Sequence, residues 1–364
     1  MALFDIVFEG GGAKGSVFVG ALEVLFNKGH NYRRLIGTSA GAITATLLGA
    51  GYKPEEMLAA VNERLPDGKP RFSSFMDPPE ATDFSAAQLS GSETLAVLQS
   101  VHLPGVAGHF LLDELLKNRI YCQLFSLVEC GGAFAGDKFL DWIIEKLNTK
   151  GVTADASLKT FFDQTGTDLS LVASDTSDME MLVLNHRTAP DCPIAWAVRM
   201  SMCIPFVWRE VVWKPEWSLY RGRSKAGNII VDGGVLSNFP IRLIDIQPAV
   251  DPEIKEIMGD TDADAAENLG LLIDTKLQAA GATVPAKSSS LLEHSKSVQR
   301  ISRLIDTMMS TQDNDEIRSH EKEICRLPAK GYGTMEFDMA QDRLNALIDA
   351  GRNAMTEHLA LRGY

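Results

Sequence analysis

The stretch LFDIVFEGGGAKGSVFVGALEVL, residues 3–25, joins a short apolar run to an amphipathic run through a turn that contains four glycines. Residues 3–8 predict a buried strand, because the run is short, apolar and followed by glycines. From Gly15 onward apolar residues recur at helical spacing, and Gly29 is a typical stop for a helix. The stretch therefore predicts a strand, a tight turn and a helix.

The same order of strand, turn and helix is repeated in the next segment of the chain. RLIG (34–37) predicts a second strand, and AGAITATLLGAG (40–51) predicts a helix of small residues packed closely on a sheet. Such repetition is typical of a parallel sheet with right-handed crossovers, so we predict an α/β fold. Later patterns predict strands at 169–175, 179–185, 206–213, 227–234, 269–274 and 323–327, and helices at 136–147 with Asp137 as N-cap, at 192–202, 288–320 and 338–359.

Composition limits the classes of function. The 364 residues carry a net charge of −13, which opposes binding to nucleic acid. No apolar run approaches the roughly 20 residues that span a bilayer, and nothing at the start of the chain is typical of a leader. The five cysteines form no CxxC pair and favour reduced thiols over a disulfide frame or a zinc site. These features favour a cytoplasmic protein without a metal centre.

No linker divides the chain, and we predict one domain over residues 1–364. Residues 65–92 are rich in Pro, Ser and Gly, and they include Phe72, Phe75 and Phe84. Long connections of this kind are often functional. We expect a lid or cap within residues 65–130, with an irregular packed loop as the alternative.

The glycine turn allows two interpretations. Gly10, Gly12 and Gly15 satisfy the G-x-G-x-x-G pattern that binds dinucleotides between a strand and a helix. That pattern also requires an acidic residue at the end of the second strand, where this chain has GTSAG (37–41) instead. A Walker A motif is excluded by the order Lys14-Gly15-Ser16. The alternative is that backbone amides of Gly11 and Gly12 bind an oxyanion that forms during catalysis.

GTSAG is a G-x-S-x-G pentapeptide centred on Ser39, at a predicted strand-to-helix turn. A sharp turn there projects the serine hydroxyl, and the helix that follows directs its positive end at developing negative charge. A serine nucleophile needs a base. His186 follows a predicted strand but lacks a motif, whereas Asp232 ends the buried strand NIIVD and begins the turn DGG. A structural turn aspartate is the alternative interpretation of Asp232.

GGGAKG, GTSAG and DGG, in this order and at these separations, resemble the three signatures of the patatin-like phospholipase family. Residues 197–208, AVRMSMCIPFVW, are similar to the segment that precedes the catalytic aspartate of that family, and residues 333–354 are similar to its usual ending. The resemblance spans nearly the whole chain and is weakest over 65–130. It implies a three-layer α/β/α fold around a mostly parallel sheet, with a helical C-terminal region.

The resemblance also implies roles for individual residues. Ser39 would be the nucleophile and Asp232 the proton acceptor of a dyad without histidine, and burial would raise the pKa of the carboxyl toward the range a base needs. The oxyanion loop would comprise Gly10, Gly11, Gly12 and Gly15, and the motif neighbours are Lys14, Gly37, Gly41, Gly233 and Gly234. Lys14 departs mildly from the family, where arginine is frequent. No cofactor is implied.

The implied activity is hydrolysis of acyl esters of phospholipids or other glycerolipids through an acyl-serine, at a membrane that the protein contacts peripherally. Phe72, Phe75 and Phe84, or the aromatic and basic segment 213–227, are candidate lipid contacts, although a solvated connection is the favoured interpretation of 213–227. Two other functions remain open: an acyl-thioesterase or acyltransferase of related fold, and a nucleotide-binding regulatory module. The sequence identifies no protein activator.

Overall fold

The structure is a computed structural model. It describes residues 1–100, 108–244, 252–259, 266–281 and 314–364, together with positions 300, 303, 304 and 307. Most of the helix predicted over 288–320 lies outside the described residues. The described strands are β1 Leu3–Phe8, β2 Asn31–Thr38, β3 Gly132–Phe134, β4 Asp168–Asp175, β5 Glu180–Leu184, β6 Phe206–Trp208, β7 Val211–Val212, β8 Leu219–Tyr220, β9 Arg223–Ser224, β10 Ile229–Asp232, β11 Glu267–Asp274 and β12 Ile324–Pro328.

The helices connect and cover these strands. Those described are α1 Val17–Asn27, α2 Ala40–Gly49, α3 Pro54–Val61, α4 Ala86–Ser90, α5 Glu93–Ser100, α6 Gly108–Leu116, α7 Arg119–Glu129, α8 Asp137–Thr149, α9 Leu158–Thr165, α10 Ile194–Ser201, α11 Pro252–Met258, α12 Asn314–Ser319 and α13 Gln341–Leu361. Short 3-10 turns precede α1 at Gly12–Ser16 and lie at Arg71–Phe75.

The central sheet has the strand order β12-β11-β1-β2-β4-β10-β7, with β5 also paired to β4. The pairs from β12 to β4 along this order are parallel, which confirms the mostly parallel sheet predicted from the repeated strand–turn–helix pattern. At the end of this order, β10 is antiparallel to β4 and β7 is antiparallel to β10. The predicted strands lacked a direction, so this antiparallel edge is a new finding.

Successive residues of the central strands pack into different cores, as expected when both faces of a sheet are covered. Ile6 and Phe8 belong to the larger core with α1, α2 and α13, whereas Val7 belongs to a smaller core on the opposite face with α11. The same alternation separates Leu35 from Ile36. The strands are apolar on both faces for this reason, and the fold is the three-layer α/β/α arrangement that was predicted.

Two local predictions were wrong. The single strand predicted over 206–213 is two short strands, of which β6 pairs with β3 and β7 with β10. Asp137 is the first residue of α8, and the N-cap is Gly136, in a left-handed conformation with φ +79°. The carboxylate of Asp77 accepts hydrogen bonds from the amides of Gly136 and Lys138 and so performs the capping from a distant part of the chain.

The segment 65–130 contains short helices that form their own small core. Phe84, Leu95 and Phe125 are buried within it, and α7 leads through β3 into α8. Within the described chain, no helix is both long enough and apolar enough to cross a membrane.

Candidate active site

The turn between β2 and α2 holds Ser39 in an unusual backbone conformation. Ser39 has φ +54° and ψ −120°, a region that non-glycine residues rarely adopt. The positions two residues before and after Ser39 must be glycine. A Cβ at Gly37 would lie 2.3 Å from the Gly41 carbonyl oxygen, and a Cβ at Gly41 would lie 2.3 Å from the Phe8 carbonyl oxygen. The sequence G-x-S-x-G therefore forms a sharp elbow packed directly on β1.

Strand β4 brings Asp232 to this elbow. Thr38, the last residue of β2, pairs with Val172, and Asp232, the last residue of β10, pairs with Ala173. Because β5 occupies the other side of β4 at these positions, β2 and β10 share one side of β4 and meet end to end. Gly233 lies at the junction, where an added Cβ would be 2.3 Å from the Val172 carbonyl oxygen. This head-on meeting places residue 232 opposite residue 39.

The Asp232 carboxyl group is completely buried. Its Oδ1 accepts a hydrogen bond of 2.8 Å from the Gly234 amide, and among the described residues Oδ2 has no hydrogen-bond partner. Burial raises the pKa of Asp232 to about 7, and contacts with the Ser39 side chain and the Gly234 amide oppose that shift without cancelling it. A group with this pKa exchanges protons near neutral pH.

The glycine-rich turn is held by distant residues. The Gly10 amide donates to the Asn238 carbonyl oxygen at 2.9 Å, and the Ala13 amide donates to the Thr334 carbonyl oxygen at 2.9 Å. Within the described part of the chain, the amides of Gly11 and Gly12 donate no hydrogen bond to another residue. These two amides are therefore not used in holding the turn, whereas that of Gly10 is.

Gly12 and Gly15 also allow close packing of the turn. Gly12 has φ +57°, and a Cβ there would lie 2.1 Å from the Thr334 carbonyl oxygen. Gly15 touches α2, because its added Cβ would lie 2.6 Å from the Cβ of Ala40. Lys14 is half-buried in the 3-10 turn Gly12–Ser16. The turn is thereby pressed against the elbow that carries Ser39.

Ser201 is a site residue that the sequence did not reveal. Its hydroxyl oxygen accepts a hydrogen bond of 3.0 Å from the Ser39 amide, and the hydroxyl donates to the Val172 carbonyl oxygen at 2.6 Å. Two residues later, the Cys203 carbonyl oxygen accepts from the Asp232 amide at 2.8 Å. The segment 201–203 thus ties both sides of the junction together. A signal was present, because this segment lies within the stretch 197–208 that resembles the family.

An apolar cavity, partly open to solvent, extends from Ser39. Its walls come from the glycine turn, α1, α2, α3, α8 and the segment around β6. Most of the side chains that line it are apolar: Val19, Ile43, Leu47, Met57, Ala60, Val61, Phe72, Phe75, Phe139, Trp142, Met202, Ile204, Trp208 and Phe337. The cavity has the character expected of a site for a hydrocarbon chain.

His186 does not approach Ser39. Its ring stacks on Phe162 at 3.8 Å, and its Nδ1 is 4.0 Å from Asp168. Asp168 begins β4 opposite Arg34, whereas Ser39 follows Thr38 at the other end of the paired region. Burial lowers the pKa of His186. Among the described side chains, no histidine lines the cavity, and His102 and His294 lie outside the described residues.

The candidate lipid contacts behave differently from one another. Phe72 and Phe75 line the cavity, but Phe84 is buried in the small core of the 65–130 segment. The segment 213–227 is a packed connection, with Trp213, Trp217 and Tyr220 buried. Its Lys225 is buried against Asp175, Asp178 and Glu180, and the guanidinium of Arg221 pairs with Glu253 and Glu256. The three aromatic side chains of this segment are therefore not exposed for contact with lipid.

The end of the second strand lacks the acidic residue of a dinucleotide site. The second strand ends at Thr38, whose hydroxyl donates to the Ser237 carbonyl oxygen. The carboxylate that binds the ribose of a dinucleotide is therefore missing from this strand end. Across the described ranges, no cluster of three or more His, Cys, Asp or Glu side chains is arranged to hold a metal ion. The site combines a serine, a buried carboxyl, two backbone amides that donate to no described residue and an apolar cavity, which are the kinds of group that acyl transfer requires.

Comparison with known proteins places this geometry in a family. Protein YqhO of Bacillus subtilis (strain 168), an uncharacterized protein, is 29% identical over 96% of this chain and 95% of its own length. A protein of Invertebrate iridescent virus 6 named "Probable lipid hydrolase 463L" is 22% identical over 65% of this chain and 61% of its own length.

The fold is shared with a solved structure. VipD from Legionella pneumophila superposes with a TM-score of 0.50 and 15% identity, covering 99% of this chain and 67% of VipD. The family model described as "Patatin-like phospholipase" matches residues 6–245, which include the glycine turn, the Ser39 elbow and the Asp232 junction. The chain therefore belongs to the patatin-like phospholipase family.

Proposed function

We propose that this protein is a lipid acyl hydrolase that uses Ser39 as nucleophile and Asp232 as its base. The observation that carries the proposal is the head-on meeting of β2 and β10 on one side of β4, which sets the Ser39 side chain against a buried carboxyl. The pKa of that carboxyl, raised by burial to about 7, is close to the value at which a general base is most effective at neutral pH.

The first half of the reaction forms an acyl-enzyme. Asp232 takes the hydroxyl proton of Ser39 while Oγ attacks the ester carbonyl carbon, and the carbonyl oxygen becomes an oxyanion. The amides of Gly11 and Gly12 stabilise that oxyanion, and each such donor typically contributes about 3 kcal/mol. The intermediate then collapses, the carbon–oxygen bond to the alcohol breaks, and the alkoxide leaving group takes the proton from Asp232.

The second half regenerates the enzyme. Asp232 takes a proton from water as the water oxygen attacks the acyl-serine, and the same amides receive the new oxyanion. The bond to Ser39 Oγ then breaks, Oγ recovers a proton from Asp232, and the fatty acid leaves. One carboxyl group therefore acts as base and then as acid in each half, and no histidine is required.

The substrate class follows from the cavity and the family. The cavity is lined mostly by apolar side chains, and an acyl chain of a membrane lipid has the matching chemistry. Membership of the patatin-like phospholipase family and the viral relative named as a lipid hydrolase support the same class. We infer that the substrates are acyl esters of phospholipids or other glycerolipids, reached at a membrane surface.

The test is fatty-acid release from vesicles of mixed phospholipids, with products identified by mass spectrometry. The wild-type protein should release fatty acid and lysophospholipid, and Ser39→Ala should release neither while keeping its fold by circular dichroism. Ser224→Ala, which alters an exposed serine on β9, is the matched control and should hydrolyse normally. Hydrolysis that survives Ser39→Ala would assign the chemistry to another group.

A further inference from the structure

Helix α7 is apolar on two opposite sides. Its inner side buries Cys122 and Phe125 in the small core of the 65–130 segment. Its outer side, called here the α7 outer face, consists of Ile120, Tyr121, Leu124 and Val128, each between 47% and 62% exposed. Positions 120, 124 and 128 fall on one stripe about 12 Å long. Residues 120–128 include no charged side chain.

The carboxylate at the end of α7 is directed away from the α7 outer face. Glu129 ends the helix, but its carboxylate turns to the start of α5 and accepts from the amides of Glu93 and Thr94 and from the Thr94 hydroxyl. Exposed Arg119 stands at the other end. A helix at the surface of a protein in water generally directs charged residues outward, so this uncharged face has the character of a surface that an apolar partner covers.

Helix α7 is hydrogen-bonded through its inner side to the segment that lines the cavity. The Ser126 hydroxyl, on the inner side of α7, donates to the Gly132 carbonyl oxygen at 2.7 Å and accepts from Arg209 Nε at 2.9 Å. Arg209 directly follows Trp208, which lines the cavity and whose indole donates to the Phe75 carbonyl oxygen at 2.8 Å. Beside this connection Phe206, 43% exposed, pairs in register with Gly132.

We propose that the α7 outer face docks the protein on a neutral or zwitterionic lipid surface and so brings the cavity to its substrate. The proposal rests on the proposed function, because a hydrolase of membrane lipids must reach the bilayer. Ile120, Leu124 and Val128 enter the acyl region, and Tyr121 and Arg119 lie at headgroup level. The net charge of −13 disfavours both an anionic bilayer and a second copy of this chain as the partner.

The experiment measures binding to vesicles of ether-linked phosphatidylcholine, which the enzyme cannot hydrolyse. Leu124→Glu should lower the partition coefficient by roughly tenfold or more, and Leu124→Trp should raise it. Leu361→Glu is the matched control, because Leu361 is also a helical and exposed leucine, and it should bind as the wild type does. Binding of the wild type should persist at high salt, since apolar insertion is not screened.

Hydrolysis of a short soluble ester, measured for the same proteins, separates this proposal from the proposed function. All four proteins should hydrolyse that ester equally, and Ser39→Ala should bind vesicles without hydrolysing any ester. Equal vesicle binding by Leu124→Glu and the wild type would overturn the docking proposal. So would a wild-type dimer that Leu124→Glu dissociates, or binding that requires anionic lipid and disappears with salt.

Discussion

At the scale of single residues, Asp232 holds a carboxyl group under conditions that oppose its ionisation. The group is fully buried, and one of its oxygens accepts a single hydrogen bond from a backbone amide. Its pKa is shifted by burial, the Ser39 side chain and the Gly234 amide, and none of them is a positive charge that would stabilise the ionised form. Such an environment lowers stability at neutral pH and is typical of sites where chemistry needs a base. Ser39, with φ +54°, stores backbone strain beside it.

The raised pKa of Asp232 predicts the pH dependence of the reaction. The base must be ionised to accept a proton. The value of kcat/KM for a soluble ester should therefore be half-maximal at about pH 7 and constant at higher pH. It should fall about tenfold for each pH unit below that value. The measurement is kcat/KM for the soluble ester, determined with a stopped assay at a series of pH values on both sides of the pKa. A profile that stays flat down to about pH 5 would mean that the pKa of the base is not raised by burial.

Ser201 should act as a positioning residue. Ser201→Ala removes the acceptor of the Ser39 amide and leaves the elbow less constrained, so kcat should fall by roughly tenfold with little change in KM. Ser170→Ala is the matched control, because Ser170 is equally buried on β4 and bonds to Asn185 and Met258 instead. Steady-state kinetics with thermal unfolding decide the matter. Equal losses of kcat in the two variants would reduce Ser201 to a purely structural role.

Residues whose role is set by local turns could be predicted from the sequence, whereas residues bound from a distance could not. The elbow around Ser39 and the turn after Asp232 are formed by residues close together in sequence, and the glycines in these segments indicate the turns. Ser201 is 162 positions from Ser39, and its hydrogen bond depends on how α10 packs beneath the sheet. The same holds for Asn238 and Thr334, whose carbonyl oxygens occupy the amides of Gly10 and Ala13.

At the scale of elements, the site is made by strand direction as much as by strand position. Apolar patterning located β1, β2, β4, β10 and β11 within a few residues, but a pattern of burial does not show which way a strand runs. The antiparallel course of β10 is shown by its pairing with β4 and β7. Aromatic content also failed to predict exposure, because Trp213 packs on Trp217, and the Trp217 ring is covered by the Lys214 ammonium group.

The helices that line the cavity should set the accepted chain length. Ala60→Phe in α3 places a ring in the cavity, so activity on long-chain esters should fall by about tenfold relative to a short-chain ester. Ala59→Phe is the matched control, because Ala59 precedes it on the same helix and is exposed. The ratio of kcat/KM across esters of increasing chain length is the readout. Unchanged ratios in Ala60→Phe would place the acyl chain elsewhere.

At the scale of the whole molecule, the chain beyond the region matched by the family model completes the sheet and one helical layer. β11 pairs with β1, β12 pairs with β11, and α13 packs against α1. The contact between these helices is close, because an added Cβ at Gly351 would lie 2.1 Å from the Val17 carbonyl oxygen. The final helix was predicted over 338–359, but its partner helix depends on the assembled sheet.

This close contact predicts an unusual effect of a glycine-to-alanine change. Gly351→Ala would stabilise an isolated helix by about 1 kcal/mol. Here it should lower the free energy of unfolding by roughly 2 kcal/mol or more, because the new methyl group collides with the backbone of α1. Asn353→Ala, at an exposed position of the same helix, should be neutral or slightly stabilising. Urea denaturation measures both, and a stabilised Gly351→Ala would contradict the packing described.

The most direct test of the central claim is the rate at which a fluorophosphonate labels Ser39, followed by intact-protein and peptide mass spectrometry in the wild type and in Asp232→Asn. The asparagine retains an acceptor for the Gly234 amide and carries no buried charge, so the variant should unfold with at least wild-type free energy. We expect a single label on Ser39 in the wild type and labelling slower by at least about a hundredfold in Asp232→Asn. Labelling at another residue, or an equal rate in the two proteins, would contradict the account.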